Sequence, residues 1–336
     1  MQRSTLIRSV TAALLIAAIV PVQAEVTEVR MARQYGIAYL PLMVMQEQQL
    51  VEKHAKAAGL GEVKATWSQF TGGAVMNDAL LAGSLDFAVA GPPPFLTMWA
   101  RTQGTANSVK GLASLNSMPM YLVTRNANVK SIRDFTEKDR IVVSGIKVST
   151  QAVVLQMAAA KEFGADKYDV LDRLTVAMPL SDSMAIMLSG RGEITADFTV
   201  PPFSYRELKN PGMHAVIDTF GVTGGPSSTN VIYTTSKFRE ANPKTVRAFL
   251  DALREAQDYV VKNRRAAAET YLRITKDKES VDDVVEMLSD PKVEYSVTPR
   301  GVMKFADFMY GVGSIKARPA SWKDLFLPEV HDQPGN

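Results

Sequence analysis

Two short stretches of this 336-residue chain carry residue types suited to holding an anion. Gly72-Gly73-Ala74 (with Thr71 before it) and Val148-Ser149-Thr150 each open a run that fits a helix. A helix start presents unpaired backbone N–H groups and a partial positive charge, so it can take an oxyanion without a buried Lys or Arg. The glycines leave the backbone open to close approach, and Ser149 and Thr150 add hydroxyl donors. Ser, Thr and Gly are also ordinary helix caps. What would make a site of them is their placement on two helices that face one cleft. Gln34, Tyr35, Gly36 and Tyr39 follow the first expected strand, where ligands bind in open α/β sheets, and a tyrosine there could supply a phenol hydrogen bond. Gly91-Pro92-Pro93 and Phe198-Thr199-Val200-Pro201-Pro202 lie at other strand ends. Their prolines shape a pocket instead of donating to a ligand, because proline has no N–H. Met76, Met184 and Met187 read as core filler.

Catalytic chemistry finds little support. There is no Gly-x-Ser-x-Gly elbow, P-loop, His-Glu-x-x-His helix or Gly-x-Gly-x-x-Gly. With no cysteine, thiol nucleophiles, Cys–zinc sites and iron–sulfur ligation are excluded. His54, His214 and His331 are scattered, so neither a metal nor a cofactor is assigned. Asp182 and Asp197 could act as an acid–base pair, but nothing in their spacing requires it.

The elements that must position these residues form a repeat. Leu81-Ala82-Gly83 and then Asp86-Phe87-Ala88-Val89 lead into prolines; Leu188-Ser189-Gly190 and then Asp197-Phe198-Thr199-Val200 do the same. Each copy follows a Met-rich stretch that fits a helix and runs into a short apolar strand. The spacing predicts a β-α-β-α-β series from Glu28 to Ala90, which implies parallel strands with right-handed crossovers. Further strands are expected at Tyr121–Thr124, Arg140–Val143, Ala215–Asp218 and Asn230–Thr234, with a largely helical third after Pro243. Thr223 to Thr229 is the most linker-like stretch. The resulting expectation is an α/β protein with lobe I at 25–126 plus 229–336 and lobe II inserted at 127–228. Two chain crossings of that kind make a hinge.

Met1 to Ala24 reads as a secretory leader: Arg3 and Arg8, then an apolar run from Val10 to Val20 too short to span a bilayer comfortably, then Val22-Gln23-Ala24 as a cleavage site. No cysteine stands at the junction, so no lipid anchor is expected there. Removal of Arg3 and Arg8 lowers the formal charge from +3 to +1. No block of Lys or Arg suggests nucleic acid.

Several stretches together resemble one family, the nitrate/sulfonate/taurine substrate-binding proteins of ABC importers. They are Tyr35-Gly36, Tyr39-Leu40-Pro41-Leu42 and Leu50-Val51-Glu52-Lys53; Gly73 to Asp86; Val89-Ala90-Gly91-Pro92-Pro93; Ile132-Arg133-Asp134-Phe135 with Arg140 to Val143; and Phe238 with Asn242 to Leu250. The resemblance covers nearly all of the chain after the leader. It implies a two-lobed periplasmic-binding fold of type II, each lobe a mostly parallel sheet flanked by helices with the ligand cleft between them. It also implies a periplasmic monomer that hands a small anion to an inner-membrane permease driven by an ATPase. The ligand would be held by the loop after the first strand, the Gly72-Gly73 helix start, the Gly91 turn and the Ser149-Thr150 helix start. Gly190 to Asp197 is four residues longer than Gly83 to Asp86, a departure that would reshape lobe II's side of the pocket. Tyr35, Tyr39 and Phe198 favour an organic anion with an apolar body over nitrate. A ligand sensor of the same fold is the alternative; a sulfinate- or pyrimidine-processing enzyme of that fold is disfavoured without cysteine.

Overall fold

A computed structural model describes residues 24–336 apart from Thr71. The leader assignment therefore falls, all but Ala24, on residues outside those described, as does Thr71. Ten strands follow in chain order: β1 (Glu28–Arg33), β2 (Lys64–Gln69), β3 (Ala88–Ala90), β4 (Val109–Ser117), β5 (Tyr121–Thr124), β6 (Ile141–Val143), β7 (Thr175–Ala177), β8 (Ala196–Thr199), β9 (His214–Asp218) and β10 (Ser228–Thr235).

They form two sheets of the same design. In the first, β2 and β1 pair in parallel, a parallel bridge from Met31 to Phe87 joins β1 to the start of β3, and β10 lies antiparallel between β3 and β4. In the second the order is β7-β6-β8-β5-β9, with β5 antiparallel to both β8 and β9. In each sheet four strands run one way and one runs back. The expectation of mostly parallel sheets thus holds for strand direction, although half of the ladders are antiparallel. One strand changes sides: β5, expected in lobe I, belongs to the second sheet.

The internal repeat is present, but its register differs from the string match. The Arg30 carbonyl accepts the N–H groups of Asp86 and Phe87 at 2.9 and 3.2 Å, and the Arg140 carbonyl accepts those of Thr195 and Ala196, both at 3.1 Å. Asp86 is therefore equivalent to Thr195, and Ala88 to Asp197, while Pro92-Pro93 matches Pro201-Pro202. The two aspartates do different work. Asp86 is gripped by Arg30, with Nη2 at 2.6 Å from Oδ1 and Nε at 3.0 Å from Oδ2. Asp197 is fully buried in the second lobe, where it accepts the Ser183 hydroxyl at 2.6 Å. The insertion relative to the first copy is two residues, not four.

The chain passes between sheets at Met118–Met120 and again just before Ser228, and the two passages are tied side by side. Thr229 Oγ1 accepts the Met118 N–H and donates to the Met118 carbonyl, both at 2.8 Å, and Ser117 Oγ donates to the Ser227 carbonyl at 2.9 Å. The linker-like stretch Thr223–Thr229 is irregular only from Gly224 to Ser227: Thr223 ends the helix Thr219–Thr223 at Gly224, whose φ of 72° favours glycine, and Ser228 opens β10. The elements that went unread in the sequence include the helix Pro92–Thr102 and β4. The helix begins on three prolines, which fit a first turn because the N–H they lack has no partner there. β4 is Gly-, Ser- and Asn-rich and buried along nearly all its length, so it shows no alternation.

Beyond Thr235 the chain returns to the first lobe as helices. Pro243–Lys262 packs on Leu40–Glu47 and Leu50–Ala57, and Phe249 stacks on Phe87 with ring centroids 4.1 Å apart. No helix among the described residues is long and apolar enough to cross a membrane.

Candidate functional site

Strand ends and helix starts from both sheets meet around a cleft of about 350 Å³, a size suited to a small molecule. From the first lobe come the turn after β1 (Gln34, Tyr35, Tyr39), the start of helix Gly73–Leu81 (Gly72, Gly73, Ala74) and Gly91 after β3. From the second lobe come Val148, Ser149 and Thr150 at the start of helix Thr150–Phe163. Ten of the sixteen residues singled out in the sequence thus lie on one surface. Both halves of the expected anion site face it.

The helix starts are not equivalent. Helix Gly73–Leu81 has no side-chain cap among the described residues, so its first-turn N–H groups remain open to a ligand. Gly73 is glycine for packing: a Cβ there would stand 2.8 Å from the Ala90 Cβ. At the facing start, Ser149 Oγ accepts the Ala152 N–H at 3.2 Å, so this hydroxyl already caps its own helix. Thr150 reaches across to the other lobe. A Cβ added to Gly91 would lie 1.8 Å from Thr150 Oγ1, so Gly91 is the point where the lobes touch. Helix Pro92–Thr102 offers little, since its first three residues are prolines.

Other expected residues sit elsewhere. Gly36, with φ +96°, faces the Pro201 carbonyl: a Cβ added there would stand 3.3 Å from that oxygen. Gly36 and Pro201 therefore make a second contact between the lobes instead of lining the cleft. Phe198 and Thr199 are fully buried in the second lobe, because β8 is the middle strand of its sheet and is covered by helices; Val200, one residue on, reaches the cleft. Pro92 is buried in its helix.

The polar lining is mostly uncharged. Tyr39, buried, donates its phenol to Asn230 Oδ1 at 3.2 Å, and Tyr233 donates to Asn77. Burial holds both phenols well above their ordinary range, so both stay protonated donors at neutral pH. Ser144 donates to Gln151 Oε1 at 3.0 Å. Only Asp78 and Arg101 are charged lining side chains among the described residues, and both are solvent-exposed. The cleft also gains Asn77, Gln151, Thr229 and Asn230, which sequence reasoning did not single out as site residues. Asn77 stands one helical turn beyond Gly73, and Asn230 just past the expected linker; those positions were the available signals. Met76 and Met187 are buried core, as expected, whereas Met98 and Met120 line the cleft. This arrangement suits neutral hydrogen-bond donors around an oxyanion, with apolar surface beside them.

Comparison with solved structures places the fold. The chain is similar to the alkanesulfonate-binding protein SsuA from Xanthomonas axonopodis pv. citri bound to MOPS, with TM-score 0.67 and 17% identity over 87% of this chain and 95% of that one. It is similar to the periplasmic nitrate-binding protein NrtA from Synechocystis PCC 6803, with TM-score 0.67 and 17% identity over 89% and 84%. The Candida albicans CA3427 gene product, described as exhibiting the generic periplasmic binding protein fold, matches with TM-score 0.65 and 17% identity over 92% and 96%. These likenesses give the two-lobed periplasmic-binding fold. Comparison with curated proteins yields no match. The model described as the NMT1-like family matches residues 22–274, and the chain belongs to that family.

Proposed function

We propose that this protein is the solute-binding component of an ABC importer, capturing a small organic anion between its lobes and presenting the closed form to an inner-membrane permease. The observation that carries this reading is the uncapped start of helix Gly73–Leu81, which faces the Ser149-Thr150 start across a cleft lined by neutral donors. Backbone N–H groups and hydroxyls so arranged neutralise an oxyanion while leaving it free to depart, because no buried cation holds it. Val75, Met98 and Leu180 beside them fit an apolar body attached to the anionic group. The structural neighbours that bind alkanesulfonate and nitrate support an anionic ligand, and the lining favours an organic one.

In this reading the chain is exported, cleaved after Ala24, and works as a periplasmic monomer. Lobe I is built on residues 25–117 with 228–336, and lobe II on 121–218. The role is binding and not catalysis. Thermal unfolding of residues 25–336 against a panel of alkanesulfonates, carboxylates, nitrate and pyrimidines tests it. A ligand at a hundred times its dissociation constant adds about 2.7 kcal/mol to the folded state. Stabilisation by a sulfonate or carboxylate is expected. Stabilisation by pyrimidines alone, or by no anion, would overturn the reading.

A further inference from the structure

Away from the cleft, the lobes meet through a cluster of charges that ligand capture does not use. The short helix Phe203–Leu208 follows β8 and belongs to the second lobe. Opposite it, residues 277–286 continue from helix Arg264–Thr275, which is tied to the first lobe by Arg273 Nε on Glu47 Oε1 at 2.7 Å. Across this gap Arg206 grips both Asp277 and Glu279. Lys209 Nζ stands 2.7 Å from Asp283 Oδ1, and the Tyr205 hydroxyl donates to Asp283 at 3.1 Å and to Glu286. Tyr271 donates to Asp277 Oδ2 at 2.8 Å and fixes it for Arg206.

The Arg206 pairs are not ordinary surface pairs. The side chains of Arg206, Asp277 and Glu279 are 24%, 15% and 9% exposed, so solvent and salt screen them less than exposed ions. Pro201 and Pro202, just before Arg206 in the chain, rest on Gly36 at the edge of the cleft. One segment thus joins the lobes both at the cleft edge and outside it.

We propose that the segment Phe203–Lys209 is an electrostatic latch between the lobes, which sets the balance of open and closed forms without touching ligand. The proposal rests on the two-lobed capture reading but is tested without any ligand. The contacts made by Tyr205, Arg206 and Lys209 all span the moving interface, so their energy counts only in the closed form, and weakening them shifts the population toward open.

The chain has no cysteine, so single cysteines introduced at Lys56 and Lys138, one exposed position on each lobe, can be labelled specifically for energy-transfer measurements on the ligand-free protein. Arg206→Ala with Lys209→Ala is expected to raise the open-to-closed ratio about tenfold. Glu279→Gln, made from the opposite lobe, should move it in the same direction, and 1 M NaCl should do so in the unmutated protein. Arg133→Ala, which removes an ion pair lying wholly within the second lobe, should leave the ratio unchanged. If Arg206→Ala/Lys209→Ala fails to fold, Glu279→Gln and the salt series decide. An inter-lobe distance distribution that is the same in the unmutated protein and Glu279→Gln, at low and high salt, would overturn the latch.

Discussion

The contact between Gly91 and Thr150 is where single atoms decide whether the lobes can meet. No side chain fits at Gly91, since even a methyl group would overlap Thr150 Oγ1 and come within 3.3 Å of the Thr229 carbonyl. Gly91→Ala should therefore leave each lobe folded but prevent this closed arrangement. Affinity for a ligand found in the thermal panel should fall by about tenfold or more, because only the closed form makes both halves of the site. Adding Thr150→Ala removes the hydroxyl that collides and should restore part of the affinity, although the remaining Cβ stays close. Calorimetric titration of the single and double variants measures this; equal affinity for Gly91→Ala and the unmutated protein would show that the contact does not limit closure. The residue scale also corrects an attractive choice of mutation. A side chain at Gly73 would strike Ala90, so loss of binding there would report damaged packing and not lost anion recognition. Ala74, exposed in the same first turn, is the cleaner probe.

At the scale of elements, the helix Phe203–Leu208 is held from two sides. Outward it carries the ions that reach the first lobe. Inward it presents Glu207, which is fully buried beside Asp197, and Asp197 Oδ1 and both Glu207 oxygens have no hydrogen-bond partner among the described residues. Among the described residues no cation pairs with either carboxyl: Arg206 on the same helix and Lys209 just after it reach the other lobe, and the neighbouring helix contributes the neutral Ser183. Burial, and for Glu207 also the charge of Asp197, raises both carboxyls far above the ordinary carboxylate range, Asp197 to about 7. The folded protein thus keeps a proton on the pair that the unfolded chain releases near pH 4. A raised folded pKa contributes stability that is complete below the unfolded value and is lost as pH rises through the folded one. Melting temperature should accordingly fall from pH 5 toward pH 9 in the unmutated protein. Glu207→Gln removes one titrating carboxyl and supplies an amide donor to Asp197, so its melting temperature should fall less over the same range. Parallel slopes for the two proteins would contradict a shared proton at this site.

For the molecule as a whole, the two-lobe plan was legible because each half repeats a helix, a strand and a proline turn. That repeat reflects two sheets in which three parallel strands are followed by one antiparallel strand and a last strand parallel to the first three. The exact register was not. Asp86-Phe87 and Asp197-Phe198 match by letter, whereas the structural match is fixed by which N–H groups reach the Arg30 and Arg140 carbonyls, and that depends on loops of unequal length. β5 was assigned to the wrong lobe for a similar reason: a four-residue apolar strand says nothing about which sheet it will join. Much of the cleft was legible because helix starts and strand ends are places where backbone chemistry collects. Phe198 and Thr199 were misplaced because an alternating strand does not reveal that both of its faces are covered. Asn77, Gln151 and Asn230 enter the cleft through tertiary approach of segments far apart in sequence.

The central claim is that the open start of helix Gly73–Leu81 holds the anionic group of the ligand. Calorimetric titration of the unmutated protein and of Ala74→Asp, with a sulfonate or carboxylate that stabilises the unmutated protein, tests it most directly. An acidic side chain in the first turn suits the helix dipole, so the fold should remain intact, while a fixed carboxylate would occupy and repel the position meant for the anion. The expected result is saturable binding by the unmutated protein and at least about a hundredfold loss in a correctly folded Ala74→Asp. Undiminished binding by Ala74→Asp would contradict the account and place the anion elsewhere in the cleft.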